Sequence, residues 1–382
     1  MTVELVSRPQ APTPGWAAEA VLDSDAAGLR RAVETATDHD VSRALDRPGG
    51  GVSTFLPLLS EAAGRRLEEL ATASQALTRQ RFGSAVRLFA PLYLSNECVS
   101  ECTYCGFAAS HEIARRTLSQ PEVAAECSAL AGQGFASILL VAGEHARIVS
   151  KDYLVASIAT AARSMASVAI EVQVWDQRTY EAMVAAGADG LVVYQETYAA
   201  DTYAAVHVKG KKRNALWRLE AVDRGAAAGM RRLGIGALFG LHDDWRSEAI
   251  ACAVHADAIL RRWWQAELAV SMPRMRPAAG VVDPARVLDD RGLVQLTCAF
   301  RLAFPDLGLV LSTREPEWLR NGLIPLGITT ISAGSHAEPG GYAEESDAEP
   351  QFAVADTRSA AEVASWLTSV GLDPVWKDWQ RT

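Results

Sequence analysis

The sequence of 382 residues has no long hydrophobic run. No apolar stretch approaches the ~18 residues that a membrane-spanning helix needs. Positive charge is also in short supply. Lys and Arg total 37 against 46 Asp and Glu, a net charge of −9. Such a chain has no general electrostatic attraction for nucleic acid or for an anionic membrane surface. The opening stretch MTVELVSRPQAPTPGW lacks a basic start followed by an apolar core, so it does not read as a secretory signal, and a cytoplasmic location is expected. Low-complexity tracts are missing too. The balance of 49% hydrophobic and 22% charged residues is that of a folded globular protein. Cysteine is scarce: six residues are too few for a disulfide scaffold in a chain of this length. They are unevenly spread. Cys98, Cys102 and Cys105 fall within eight residues, whereas Cys127, Cys252 and Cys298 stand alone in apolar surroundings and read as buried thiols on helices.

What is present is a regular alternation. Residues 1–85 read as helix and loop, with helical spacing of apolar residues over 25–37 and 57–80. Between them, Arg47-Pro48-Gly49-Gly50-Gly51 is a loop without the Gly-Lys-Ser/Thr ending of a phosphate cradle. From residue 86, short apolar runs at 87–95, 137–142, 168–174, 190–195, 235–241, 267–272, 309–313 and 328–333 alternate with helical segments. Their near-continuous apolar character suits strands buried on both faces. Eight βα units in about 250 residues predict an α/β fold, a (β/α)8 TIM-type barrel. The expected organisation is a helical N-terminal extension at 1–85, a barrel at 86–345, and a C-terminal helix and tail at 346–382 closing the barrel.

A barrel carries its chemistry just past the C-terminal ends of its strands. The polar groups expected there are the cysteine cluster after the first strand and Gly143-Glu144-His145 after the second. Gln173 ends the third, Gln195-Glu196-Thr197-Tyr198 follow the fourth, and His242-Asp243-Asp244 follow the fifth. Arg274 and Arg276 follow the sixth, Arg314 the seventh, and Ser332 lies in the eighth.

The cysteine spacing C-x3-C-x2-C differs from that of common zinc sites, and ferredoxin clusters take four cysteines. Three thiolates with no nearby fourth suit a [4Fe-4S] cluster with one iron open for catalysis. Tyr104, just before the last cysteine, can stack on a bound adenine, and Gly106 lets the backbone pass close to the cluster. This C-x3-C-x-aromatic-C pattern resembles the radical S-adenosylmethionine superfamily. Further stretches resemble one branch of it, the 2-iminoacetate synthase (tyrosine lyase) family of thiamine thiazole biosynthesis. They are LYLSNECVSECTYCGF, LLVAGEH, VYQETY, HVKGKKRNALWRLE, VSMPRMRP, LSTRE, ISAGS, PGGY and PVWKDW, in the family's order over about three quarters of the chain.

The resemblance implies roles. Cys98, Cys102 and Cys105 would hold the cluster. Glu144 would accept from the methionyl amino group of S-adenosyl-L-methionine, Glu196 from its ribose hydroxyls, and Arg218 would pair with its carboxylate. Arg314 and Ser332 would anchor the carboxylate of L-tyrosine, and Tyr93 would contact its amino group. Taken without the resemblance, Arg218 is a solvated helix charge, Glu144 a helix cap, and Arg314 a surface partner of Glu315. Tyr93 and Ser332 are then core packing. Lys209, Lys211 and Lys212 read as a solvated basic loop, and His145, His242, Arg274 and Arg276 as supporting groups.

The implied reaction is radical cleavage of the tyrosine Cα–Cβ bond to 2-iminoacetate and 4-cresol. The implied partners are a flavodoxin or ferredoxin reductant and thiazole synthase. A tryptophan lyase is the neighbouring alternative. A cluster-maturation enzyme is disfavoured, because no cysteine follows Cys298. From another class, a non-catalytic iron–sulfur carrier or redox sensor would need a fourth ligand.

Overall fold

A computed structural model describes residues 15–279, 281 and 288–376. The first 14 residues and the Lys377-Asp378-Trp379 part of the PVWKDW motif lie outside the described residues. Six helices open the chain: Trp16–Leu22, Ala26–Thr35, Asp38–Asp46, Val52–Leu58, Glu61–Arg65 and Leu67–Phe82. The single helix expected over 57–80 is therefore divided. The Ser60 hydroxyl accepts from the Ala63 N–H at 3.1 Å and caps a new helix, which ends the preceding one. These helices wrap one flank of the barrel. Phe55 packs on Phe300 with ring centroids 4.6 Å apart, and Gln295 donates to the carbonyls of Leu58 and Ser60.

Eight strands follow: β1 Ala85–Ser95, β2 Ser137–Ala142, β3 Ser167–Glu171, β4 Gly190–Glu196, β5 Arg232–Ala237, β6 Glu267–Ser271, β7 Gly308–Leu311 and β8 Thr330–Ser332. Each pairs in parallel with the next, and β8 returns to β1 through Arg87↔Thr330, Leu88↔Ile331 and Phe89↔Ser332. The sheet is a closed barrel, as the eight apolar runs predict. Side chains alternate as the strand period of two requires. On β1, Val86, Leu88, Ala90, Leu92 and Leu94 are buried against the outer helices, while Phe89, Pro91 and Tyr93 line the lumen. Small lumen residues such as Ala169, Val192, Ala269 and Val310 leave a second hollow below the mouth.

Helices Gln120–Gly132, Lys151–Ala161, Gln177–Ala186, Ala221–Ala227, Trp245–Arg262, Asp290–Ala303, Glu317–Gly327 and Ala360–Ser369 follow successive strands. A last strand, β9 Asp373–Val375, pairs with Ala85–Arg87 at the start of β1, away from the mouth. The segment that lines the mouth on this side is instead 335–354, through Ser335, His336, Gln351, Phe352 and Val354. Among the described residues no helix is long and apolar enough to cross a membrane. Cys127, Cys252 and Cys298 are buried on helices, where burial pushes each thiol up to about 12.

Candidate active site

The mouth of the barrel holds an open cavity. The cysteine loop leaves β1 and forms one wall. It is fixed by a two-strand ribbon in which Glu101 and Cys102 pair with Lys209 and His207. Close backbone approach secures the other side: a Cβ on Gly143 would fall 2.4 Å from the Glu97 carbonyl oxygen. One on Gly106 would fall 2.8 Å from the Gln351 carbonyl oxygen. Cys102 is buried, and Cys98 and Cys105 are partly exposed. Burial pushes the Cys98 thiol up and the Cys102 thiol up to about 12, and the nearby Cys105 adds to both. Such thiols ionise when a cation is there to take them. Among the described residues no three His, Cys, Asp or Glu side chains converge on a point that would hold a single metal ion. Three cysteine thiols in one loop are the donor chemistry that an iron–sulfur group takes.

Beside the thiols lies a charge network. Arg218 is buried, not solvated. Its Nε donates to the Tyr194 carbonyl at 2.6 Å, and its terminal nitrogens lie 3.4 Å from Glu144 and 3.6 Å from Glu196. Glu144 also accepts from the Ser100 hydroxyl at 3.0 Å, which ties it to the cysteine loop. Glu196 carries φ +71, unusual for a residue with a side chain, at the point where the β4–β5 register shifts. The irregularity aims its carboxylate into the cavity. Burial alone would raise the Glu196 carboxyl, but Lys212 and Arg218 outweigh it and hold it down. Burial likewise opposes the charge on Arg218, and the Glu196 and Glu144 carboxylates reverse that and raise it.

Lys212 corrects the reading of a solvated basic loop. Its Nζ turns inward, 2.7 Å from Glu196 Oε1 and 5.5 Å from the centre of the Tyr104 ring. Tyr104 lines the cavity with its hydroxyl 2.8 Å from His207 Nε2.

The opposite wall is built differently. Arg314 does not pair with Glu315, which is held by Arg274. Its guanidinium sits 3.4 Å above the Phe352 ring and has no carboxylate partner among the described residues. The Ser332 hydroxyl oxygen accepts from the Thr313 N–H at 3.1 Å, which leaves its hydrogen to donate into the cavity. Tyr93 donates to Gln351 Oε1 at 2.8 Å, and Gln351 Nε2 reaches Cys105 Sγ at 3.6 Å. Of the supporting groups, Arg276 lines the cavity with its Nε unpartnered. Arg274 is committed to Glu315 and Asp290, His145 caps the Ile148 N–H, and His242 meets Thr202.

Two cavity residues escaped the sequence. Gln351 lies 258 residues beyond its partner Tyr93. Glu171 ends β3, where the apolar run led to Gln173 instead; Gln173 is a buried brace to the Val149 carbonyl. Glu171 lines the cavity and has no ion pair among the described residues. Burial, and then the Glu196 charge, push its carboxyl up to about 7 against the pull of Arg314, Arg218 and Lys212.

Residues 271–373 match the family described as the Biotin and Thiamin Synthesis associated domain. The chain is 45% identical to 2-iminoacetate synthase of Salmonella typhimurium over 351 residues, covering 92% of this chain and 93% of that protein. It is 45% identical to 2-iminoacetate synthase of Escherichia coli over 358 residues, covering 94% of each. The crystal structure of HydG, a maturase of the [FeFe]-hydrogenase, superposes with a TM-score of 0.87 at 30% identity, covering 94% of this chain and 81% of that one. The chain belongs to the 2-iminoacetate synthase family of radical S-adenosylmethionine enzymes.

Proposed function

We propose that this protein cleaves the Cα–Cβ bond of L-tyrosine to 2-iminoacetate and 4-cresol, and so supplies the thiazole part of thiamine. The observation that carries the reading is one pairing across the cavity: a guanidinium without a carboxylate, Arg314, and a carboxyl without a cation, Glu171. An amino acid zwitterion completes both. A guanidinium fork matches the substrate carboxylate in two hydrogen bonds, and Ser332 adds a third. Glu171 and the Tyr93 hydroxyl receive the amino group. Below these anchors the lining turns apolar through Phe89, Leu139 and Val310, with Tyr194 and Ser271 as hydroxyls, which suits a phenol ring.

Cys98, Cys102 and Cys105 would hold a [4Fe-4S] cluster. When bound, such a cluster with S-adenosyl-L-methionine would supply the radical chemistry for taking a hydrogen atom from the substrate amino group. Glu144 accepts from the methionyl ammonium, and Arg218 balances the methionyl carboxylate. The Glu196 carboxylate meets Lys212 and Arg218 through Oε1, and its Oε2 would accept from the ribose diol. Tyr104 offers its ring to the adenine. A flavodoxin or ferredoxin delivers electrons, thiazole synthase receives the labile imine, and the cytoplasm is the reducing setting that an open cluster needs.

The test is product analysis of the reconstituted, reduced protein with S-adenosyl-L-methionine and either tyrosine or tryptophan. The expected result is 4-cresol and glyoxylate, the hydrolysis product of the imine, from tyrosine alone. An indole product without cresol overturns the assignment in favour of a tryptophan lyase. No 5′-deoxyadenosine with either substrate overturns it in favour of a non-catalytic iron–sulfur protein.

A further inference from the structure

We propose that the outer face of the cysteine loop is the docking surface for an acidic one-electron carrier protein. The proposal rests on the radical-enzyme reading above, which requires electrons to reach Cys98, Cys102 and Cys105. Seven large hydrophobic side chains are exposed among the described residues, and three of them surround this loop. Val99 is 43% exposed, Ile148 40% and Val208 53%. Separate segments bring them together. The Val99 N–H donates to the Glu144 carbonyl, and the Ile148 N–H donates to His145 in the same turn. Val208 sits between His207 and Lys209, the two residues that pair with Cys102 and Glu101. A Cβ on Gly210 would fall 2.3 Å from the Ser100 hydroxyl oxygen, so the ribbon lies directly on the loop.

The rim of this patch is basic. With Lys212 turned inward, Lys209, Lys211 and Arg213 stay exposed on the ribbon, and Arg147 is exposed beside Ile148. The stretch 207–214 holds no acid, in a chain whose net charge is −9. The loop has two acids of its own, Glu97 and Glu101, and Glu101 is engaged by Ser110. An apolar centre with a basic rim fits a partner with an apolar centre and an acidic rim. Electron transfer falls steeply with distance, and this patch is the exposed surface that adjoins two of the ligating cysteines in sequence and in space. Rim charges mainly set the association rate, so the interaction must weaken with salt.

The experiment uses the reconstituted holoenzyme and a reduced flavodoxin as the probe carrier. Stopped-flow absorbance follows cluster reduction, and a separate titration follows complex formation by oxidised flavodoxin. Val208→Glu, Lys211→Glu and Arg147→Glu are compared with Trp264→Glu, an exposed residue before β6 at the other end of the barrel. The patch variants are expected to slow flavodoxin-driven reduction about tenfold, weaken the complex and flatten its salt dependence. Trp264→Glu is expected to match wild type. Reduction by dithionite, and dithionite-driven 4-cresol formation, stay unchanged in all four, which excludes misfolding. Flavodoxin-driven rates and binding equal to wild type in Val208→Glu and Lys211→Glu overturn the docking surface. Failure of the wild type to make 4-cresol with dithionite overturns the lyase reading instead, so the two are separable.

Discussion

On the β2–β4 side of the barrel mouth, one network of four charges is already paired within itself. Arg218 and Lys212 face Glu144 and Glu196, two cations against two carboxylates within 2.7 to 3.6 Å. On the β7–β8 side, Arg314 rests on an aromatic ring, and Glu171 across the lumen has no cation in contact. The first arrangement is balanced before anything binds; the second, in the function proposed above, would be completed by a zwitterion. Buried unpaired charge is costly, so a fold retains it where a ligand will neutralise it. The contrast assigns the two halves different work. In the function proposed above, the balanced half would present a rigid polar wall to a cofactor, and the unbalanced half would select an amino acid.

The variant expected to do most damage is Cys98→Ala, which removes a cluster ligand and with it both halves of the reaction. Iron content and charge-transfer absorbance should be lost, and no 5′-deoxyadenosine should form. Retained, active iron would break the ligand assignment. Next is Arg218→Met. It leaves Glu144 and Glu196 with one cation between them, a defect of about 3–5 kcal/mol for a buried network. Thermal unfolding should fall on the order of 5–10 °C, and S-adenosyl-L-methionine binding should weaken sharply. Unaltered unfolding would mean that the network is not the rigid half.

Glu171→Gln acts on the open half and should be milder. Its carboxyl ionises near 7, so wild-type kcat/KM for tyrosine should rise as pH passes 7, where the carboxylate becomes able to pair with the ammonium. The variant should lose that rise and bind tyrosine about tenfold less tightly. A wild-type profile with no group near 7 would remove Glu171 from substrate recognition. The smallest effect concerns stability. The folded value lies above the ordinary 4.5, so the contribution of this group to stability is complete below about 4.5 and is lost as pH rises through 7. Without ligand, Glu171→Gln should therefore unfold at a slightly higher temperature than wild type at pH 8, and this advantage should vanish in acid.

How far the sequence reached follows the same division. The barrel was legible because doubly buried strands write themselves as short apolar runs, and the cysteine trio because it lies within eight residues. Boundaries were less clear. The fifth strand ends at Ala237, earlier than its apolar run, and the Phe239 N–H bonds to the Pro273 carbonyl beyond the strand of the next unit. Apolar residues in a loop that covers a cavity look like strand. Lys212 was hidden in a run of like charges, of which only one turns inward. Glu171 was hidden by a two-residue error in where β3 stops. Gln351 could not be found by spacing, since only folding brings it to Tyr93 and Cys105.

The separation of the two halves is tested most directly in Arg314→Ala, by counting 5′-deoxyadenosine against 4-cresol in one anaerobic reaction. Loss of a charge-assisted carboxylate anchor costs about 2–5 kcal/mol of binding. The account predicts that 5′-deoxyadenosine continues to form while 4-cresol falls by roughly a hundredfold or more at limiting tyrosine. Normal cresol production, or parallel loss of both products, would contradict it.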